Sequence, residues 1–156
     1  MYTSLTTGLL LFNALIFGLI ALLHVYWAFG GSWAAADALP QLPAANKPVF
    51  RPGRLVTLVV AVALLVGLLL NVYHWLPDKL LLTTAGHRYG LLLIGLLFGL
   101  RTLGDFKCVG LTKRVRNTPF ARYDTALYTP LCALLALSHL ICFATLSWRW
   151  TVGTIH

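Results

Sequence analysis

His24 and Asp105 are the residue pair whose types suit acid–base chemistry, with His24 taking or giving a proton and Asp105 orienting the ring. Close by in sequence, Arg101, Lys113, Arg114, Arg116 and Arg122 could hold an anionic headgroup or a phosphate through charge-assisted hydrogen bonds. The same cations have a plainer reading as anchors at a membrane surface. Between Phe106 and Val115 they alternate with Phe106, Val109 and Leu111, as expected of a segment lying in the headgroup layer. Arg101 and Asp105 are four residues apart and could pair across one helical turn. Asp124 is a plausible N-cap for the helix that follows it.

A second set of polar residues interrupts the apolar runs. Asn13 and His24 are separated by three helical turns and about 20°, so they share a face, with Trp27 one turn beyond His24. Asn71 follows Gly67 at four-residue spacing, and Ser138, His139 and Cys142 lie together near the other end of the chain. Asn13 and Asn71 are expected to hydrogen-bond between helices, and Gly95 and Gly99 form a GxxxG step that permits close helix approach. His24, His74, His87 and His139 invite a haem reading, but no two share an evident depth for bis-His ligation. No metal site is expected. A quinone among Trp27, Tyr73, Trp75 and Phe98 is the other cofactor alternative, and neither cofactor is the leading expectation.

These residues sit in a chain of 156 residues that is 59% hydrophobic and 10% charged. A soluble domain of this length could not cover so much apolar surface, so the bilayer is the expected solvent. Twelve Lys and Arg oppose four Asp. Because the cations lie between apolar runs, the excess points to topology and anionic lipid, not to nucleic acid. Cys108, Cys132 and Cys142 form no CxxC pair and are expected to be small apolar fillers.

The apolar runs place spans at about 5–29, 54–75, 84–103 and 125–148, each near the roughly 20 residues that cross a bilayer. A Pro-rich loop, 30–53, joins the first two, and a basic interfacial loop, 104–124, joins the last two. The first run lacks a charged start and exceeds a signal core, so it reads as an uncleaved helix. The first and third connections carry nine of the twelve cations, against Lys79, Arg88 and Arg149 on the other side. That imbalance predicts one membrane domain over 1–156: an all-α antiparallel four-helix bundle, loops cytoplasmic, both termini outside. The acids Asp37, Asp78, Asp105 and Asp124 all fall outside the spans or at their ends, which disfavours a proton-coupled exporter.

His24-Val-Tyr-Trp27-Ala-Phe-Gly30-Gly31, Arg101-Thr-Leu-Gly104-Asp105-Phe106, Lys113-Arg-Val-Arg116 and Phe120-Ala-Arg122-x-Asp124-Thr125 together resemble a family of short bacterial membrane proteins. The family is catalogued as a domain of unknown function and described as four-helix. The resemblance covers nearly the whole chain, implies that topology and implies no activity. It draws attention to Trp27 and Asp124 beside His24, Arg101, Asp105 and Arg122.

The leading expectation is a non-catalytic, multi-pass protein of the bacterial cytoplasmic membrane. It would be an accessory or assembly subunit of a membrane complex, or a scaffold in contact with anionic lipid, with a membrane-protein partner or a second copy beside it. The alternatives are an intramembrane enzyme or binding protein built on the His24/Asp105/Arg cluster, and a haem or quinone subunit.

Overall fold

The computed structural model describes residues 4–42, 47–76 and 83–153. Asp78 and Lys79 lie outside the described residues, as does the side chain of Arg149. Among the described residues the fold is all-helical apart from a two-residue antiparallel ladder. Helix α1 spans Ser4–Ala28, and α2 is a single turn at Ala35–Ala38. Strands β1 (Gln41–Leu42) and β2 (Lys47–Pro48) pair within the Pro-rich segment, where proline excludes a longer helix. Helix α3, Arg54–Val72, tightens into a 3₁₀ turn at Tyr73–Trp75, and α4 spans Thr84–Leu103. Helix α5, Pro119–Tyr123, continues through a π turn at Asp124–Tyr128 into α6, Thr129–Gly153.

Among the described residues, three stretches, Ser4–Ala28, Arg54–Trp75 and Pro119–Trp148, are long and apolar enough to cross a membrane. Helix α4 is less apolar, because His87 and Arg88 sit near its start and Arg101 near its end. Contacts along the helices define their directions. Arg54 stacks on the Phe29 ring, so α3 begins where α1 ends. Thr6 meets Thr145 and Asn13 meets Ser138, so α6 runs antiparallel to α1. The end of α3 and the start of α6 therefore lie at opposite ends of α1. Helix α4 carries the chain back between them, packed along α6.

The interior is thin and interlocked. Leu10, Leu91 and Cys142 meet at one level, and Phe17, Ile94 and Leu135 at another. Phe17 packs edge-on against Phe98 and occupies the space where a side chain at position 67 would stand. The outer faces carry large exposed apolar groups such as Leu55, Val59, Leu93 and Leu97. Of the expected GxxxG pair only Gly95 serves helix packing, against Leu140 and Ala136 of α6. Gly99 has nothing within 4 Å of where its side chain would be, so the second glycine of the step makes no close helix contact.

The last helix begins at Pro119 instead of 125, and its N-cap is Thr118, whose hydroxyl accepts the Ala121 amide. Asp124 therefore does not cap a helix; it lies inside one. The cause of the π turn is Pro130, which has no N–H to give and crowds the carbonyl four residues earlier. The Thr129 amide instead donates to the Asp124 carbonyl, five residues back.

Candidate functional site

The π turn brings the side chain of residue 129 over that of residue 124. Asp124 is completely buried and its carboxylate is fully engaged. Arg101 Nη2 donates to Oδ1 at 2.8 Å, while Lys113 Nζ donates to Oδ2 at 2.7 Å. Oδ2 also accepts the Gly110 amide at 2.9 Å and the Thr129 hydroxyl at 3.1 Å. Arg101 thus pairs with Asp124 and not with Asp105: the helical spacing permits the local pair, but the folded loop offers a desolvated partner that two cations share. A buried carboxylate with this many donors is satisfied, and removing it would strand two positive charges.

The loop between α4 and α5 is folded around the other aspartate. Asp105 Oδ1 accepts the amides of Lys107, Cys108 and Val109 at 2.9, 2.7 and 2.8 Å. Its own amide donates to the Val109 carbonyl, closing a tight ring of backbone. Burial acts to raise the Asp105 carboxyl, but the amide donors outweigh it and hold the group below the ordinary aspartate value. Burial and the neighbouring Asp105 charge push the Cys108 thiol up, against the smaller pull of Lys107. Gly104 turns with φ +94, and a side chain there would run into the Val109 carbonyl. That contact lets the Leu111 and Thr112 amides reach the carbonyls of Thr102 and Leu103 at the end of α4. Residues 104–118 form a compact cap pinned from above by Asp105 and from below by Asp124.

Of the six cations in 101–124, Arg101 and Lys113 are taken by Asp124. Lys107, Arg114, Arg116 and Arg122 are exposed, as are Phe106, Leu111 and Tyr123. Beside Asp124 lies an open cleft of about 410 Å³, whose walls include Gly110, Lys113, Arg116, Thr125, Thr129 and Ala133.

A family model described as a protein of unknown function (DUF3995) matches residues 17–139. The chain belongs to this family. The match takes in the His24–Gly31 corner, the whole cap and the Asp124 centre, and it ends at His139. No curated protein and no solved structure matches the chain.

The DUF3995 chain does not bring His24 to Asp105. His24 Nδ1 donates to the Ile20 carbonyl of its own helix at 2.8 Å, and the ring stacks edge-on against Trp27. Trp27 in turn donates to the Trp33 carbonyl, and Tyr26 packs over Gly31. The motif at 24–31 therefore builds the corner where the chain leaves α1. With His24 spent on its own backbone and Asp105 on three amides, no acid–base pair forms between them.

A second buried centre lies among α1, α3 and α6, and it contains no charge. His139 is fully buried, and its Nδ1 lies 2.7 Å from the Leu135 carbonyl. A carbonyl only accepts, so Nδ1 holds the proton and Nε2 is the acceptor. Asn71 Nδ2 donates to that Nε2 at 3.1 Å and to the Gly67 carbonyl at 2.8 Å. Asn13 lies 3.3 Å from Nδ1 and accepts the Ser138 hydroxyl at 2.8 Å. Asn13, bonded to Ser138 of α6, and Asn71, bonded to His139, thus work between helices, while His139 was not among the residues that the pattern of types singled out for packing. The signal that could have found it is depth: each of the three falls well inside an apolar run. His87 Nε2 donates to the Leu70 carbonyl, and Tyr73 lies against its ring. His139 has both ring nitrogens engaged, on Leu135 and Asn71, and so presents neither to an iron. Trp27 and Trp75 stand at opposite ends of the helices, and Phe98 lies between them against Phe17, so the four aromatics expected around a quinone line no common pocket.

Proposed function

We propose that this chain is a four-span, non-catalytic protein of the bacterial cytoplasmic membrane, a scaffold whose basic cap rests on anionic lipid at the inner face. The observation that carries the reading is the division of the cap's cations. Two are neutralised by a buried carboxylate, and Lys107, Arg114, Arg116 and Arg122 are left exposed at one end of the helices, beside Phe106, Leu111 and Tyr123. Cations next to exposed aromatic and aliphatic groups suit the boundary between headgroups and acyl chains.

The fourth span is supported by chain direction. If α1, α3 and α6 cross the bilayer, the chain must return between the end of α3 and the start of α6, and α4 is the segment that does so. Its charged and histidine side chains are at its ends, where His87 bonds Leu70 and Arg101 bonds Asp124. Helix α4 is 20 residues long, enough for a hydrocarbon layer of about 30 Å. The excess of cations in the first and third connections favours placing them inside. Acid–base chemistry at His24 and Asp105 has less support, since both side chains are committed to backbone groups.

The test compares the lipid shell of the native chain with that of a Lys107→Gln/Arg114→Gln/Arg122→Gln variant, each extracted in polymer-bounded discs from a membrane of known composition. Enrichment of anionic over zwitterionic lipid is expected around the native chain and not around the variant. Equal shells would sink the reading, as would an extracellular position for a reporter inserted at 111–112.

A further inference from the structure

We propose that the cleft beside Asp124 is a one-to-one binding site for the phosphate group of an anionic phospholipid, with one acyl chain laid along α6. This deepens the scaffold reading and rests on it. The first observation is charge. Arg101, Lys113 and Asp124 form a cluster with two positive charges and one negative; Lys113 and Asp124 are buried, the Arg101 side chain is 32% exposed, and its Nη1 is shielded from solvent with no hydrogen-bond partner. An excess positive charge partly shielded from water favours a compensating anion. Asp105 does not serve, because its carboxylate holds the cap's own amides.

The second observation is the supply of donors. Lys113 lines the cleft and spends one of its three ammonium hydrogens on Asp124. Arg116 lines it too, exposed and with no acidic partner among the described residues. The hydroxyl of Thr129 and the amide of Gly110 are already given to Asp124. The cleft therefore offers a lysine and an arginine to an incoming oxyanion, and its carboxylate is masked by its own donors. A guanidinium beside an ammonium is a recurrent phosphate-binding pair.

The third observation separates a lipid from free phosphate. Pro130 and Ala133 also line the cleft. From there α6 presents Leu134 and Leu137 to the outside, at 47% and 58% exposure. Positions 130, 133, 134 and 137 follow helical spacing, so one apolar stripe leads from the cation-lined cleft along the helix. A phosphate carried on an acyl chain matches both halves. The volume of about 410 Å³ falls within the roughly 300–1,000 Å³ of small-molecule sites.

The experiment uses the full chain in discs of zwitterionic lipid, titrated with dioctanoyl phosphatidylglycerol and followed by native mass spectrometry. Saturable one-to-one binding is expected. Arg116→Gln should weaken it about tenfold by removing a charge-assisted donor. Ala133→Leu, which adds bulk to the cleft lining and alters no charge, should weaken it comparably. Arg122→Gln, a cation outside the cleft, should change it less than about twofold. Unchanged thermal unfolding of each variant would establish that it is folded. Equal weakening by Arg116→Gln and Arg122→Gln, without saturation, would overturn the cleft site while leaving the scaffold reading intact. Displacement of the lipid by an equal concentration of inorganic phosphate would overturn the assignment to a lipid. Saturable binding that survives both Arg116→Gln and Ala133→Leu would overturn the location.

Discussion

At the end of α4 a buried carboxylate collects two cations, an amide and a hydroxyl, whereas among α1, α3 and α6 an equally buried histidine is met only by neutral groups. The two centres have comparable burial and opposite electrostatics. Asp124 draws Lys113 and Gly110 from a folded loop whose outer side is exposed, and Arg101 from the adjoining end of α4. His139 can draw only on side chains of neighbouring helices, where an ion would have little to compensate it, and it is satisfied by asparagine, a carbonyl and an aromatic edge. Charge is used where the chain can leave the apolar layer, and neutral hydrogen bonding where it cannot.

The widest gap between the centres should appear when each loses its hub. Asp124→Ala strands Arg101 and Lys113 and should cost about 3–5 kcal/mol in a denaturant titration of the detergent-solubilised chain. A cost below about 1 kcal/mol would show that the cations find other partners. Gly104→Ala attacks the same region through the backbone, since it places a side chain at φ +94 against the Val109 carbonyl. It should cost about 1–3 kcal/mol and abolish hydrogen-exchange protection of the Leu111 and Thr112 amides, while α1 and α3 keep theirs.

His139→Leu removes the hub of the neutral centre and should cost about 1–2 kcal/mol, less than Asp124→Ala because no charge is stranded. A double-mutant cycle between His139→Leu and Asn71→Leu should give a coupling near 0.6 kcal/mol. Coupling above about 2 kcal/mol would mean that the contrast between the centres is overstated. The smallest effect is on pH. Asp105 is held below the ordinary aspartate value of 3.8, so its contribution is complete above that value and is lost as pH falls through the depressed one. The Lys107, Cys108 and Val109 amides should therefore stay protected at about pH 5 and open only below about pH 4. Opening nearer pH 6 would contradict this sign.

Much of the helical layout was legible because apolar runs of bilayer length announce themselves. The runs expected at 54–75 and 84–103 coincide with the helical stretches Arg54–Trp75 and Thr84–Leu103, and 5–29 falls within a residue of Ser4–Ala28. The candidate site was legible only in outline. Arg101, Lys113, Arg116 and Asp124 stood out by type, but spacing favoured Arg101 with Asp105, and nothing local distinguishes that pair from the one across twenty-three residues. Asp124 resembled an N-cap because an aspartate before a threonine and an apolar run usually is one. The helix had already started at Pro119, with Thr118 as cap, and Pro130 opened the π turn that buried the carboxylate. Gly99 shows the same limit, since a GxxxG spacing says that two glycines lie near one face but not that a neighbour occupies it.

By itself the sequence determined that the chain is helical, apolar on most faces, and basic between its runs. Those properties follow from composition and periodicity, which every residue contributes to locally. Only the tertiary structure decided which of two aspartates takes the cations, which histidine becomes a hub, and that the cap folds beside a cation-lined cleft. Each of these depends on desolvation and on donors brought from distant segments, and neither quantity exists until the helices are side by side.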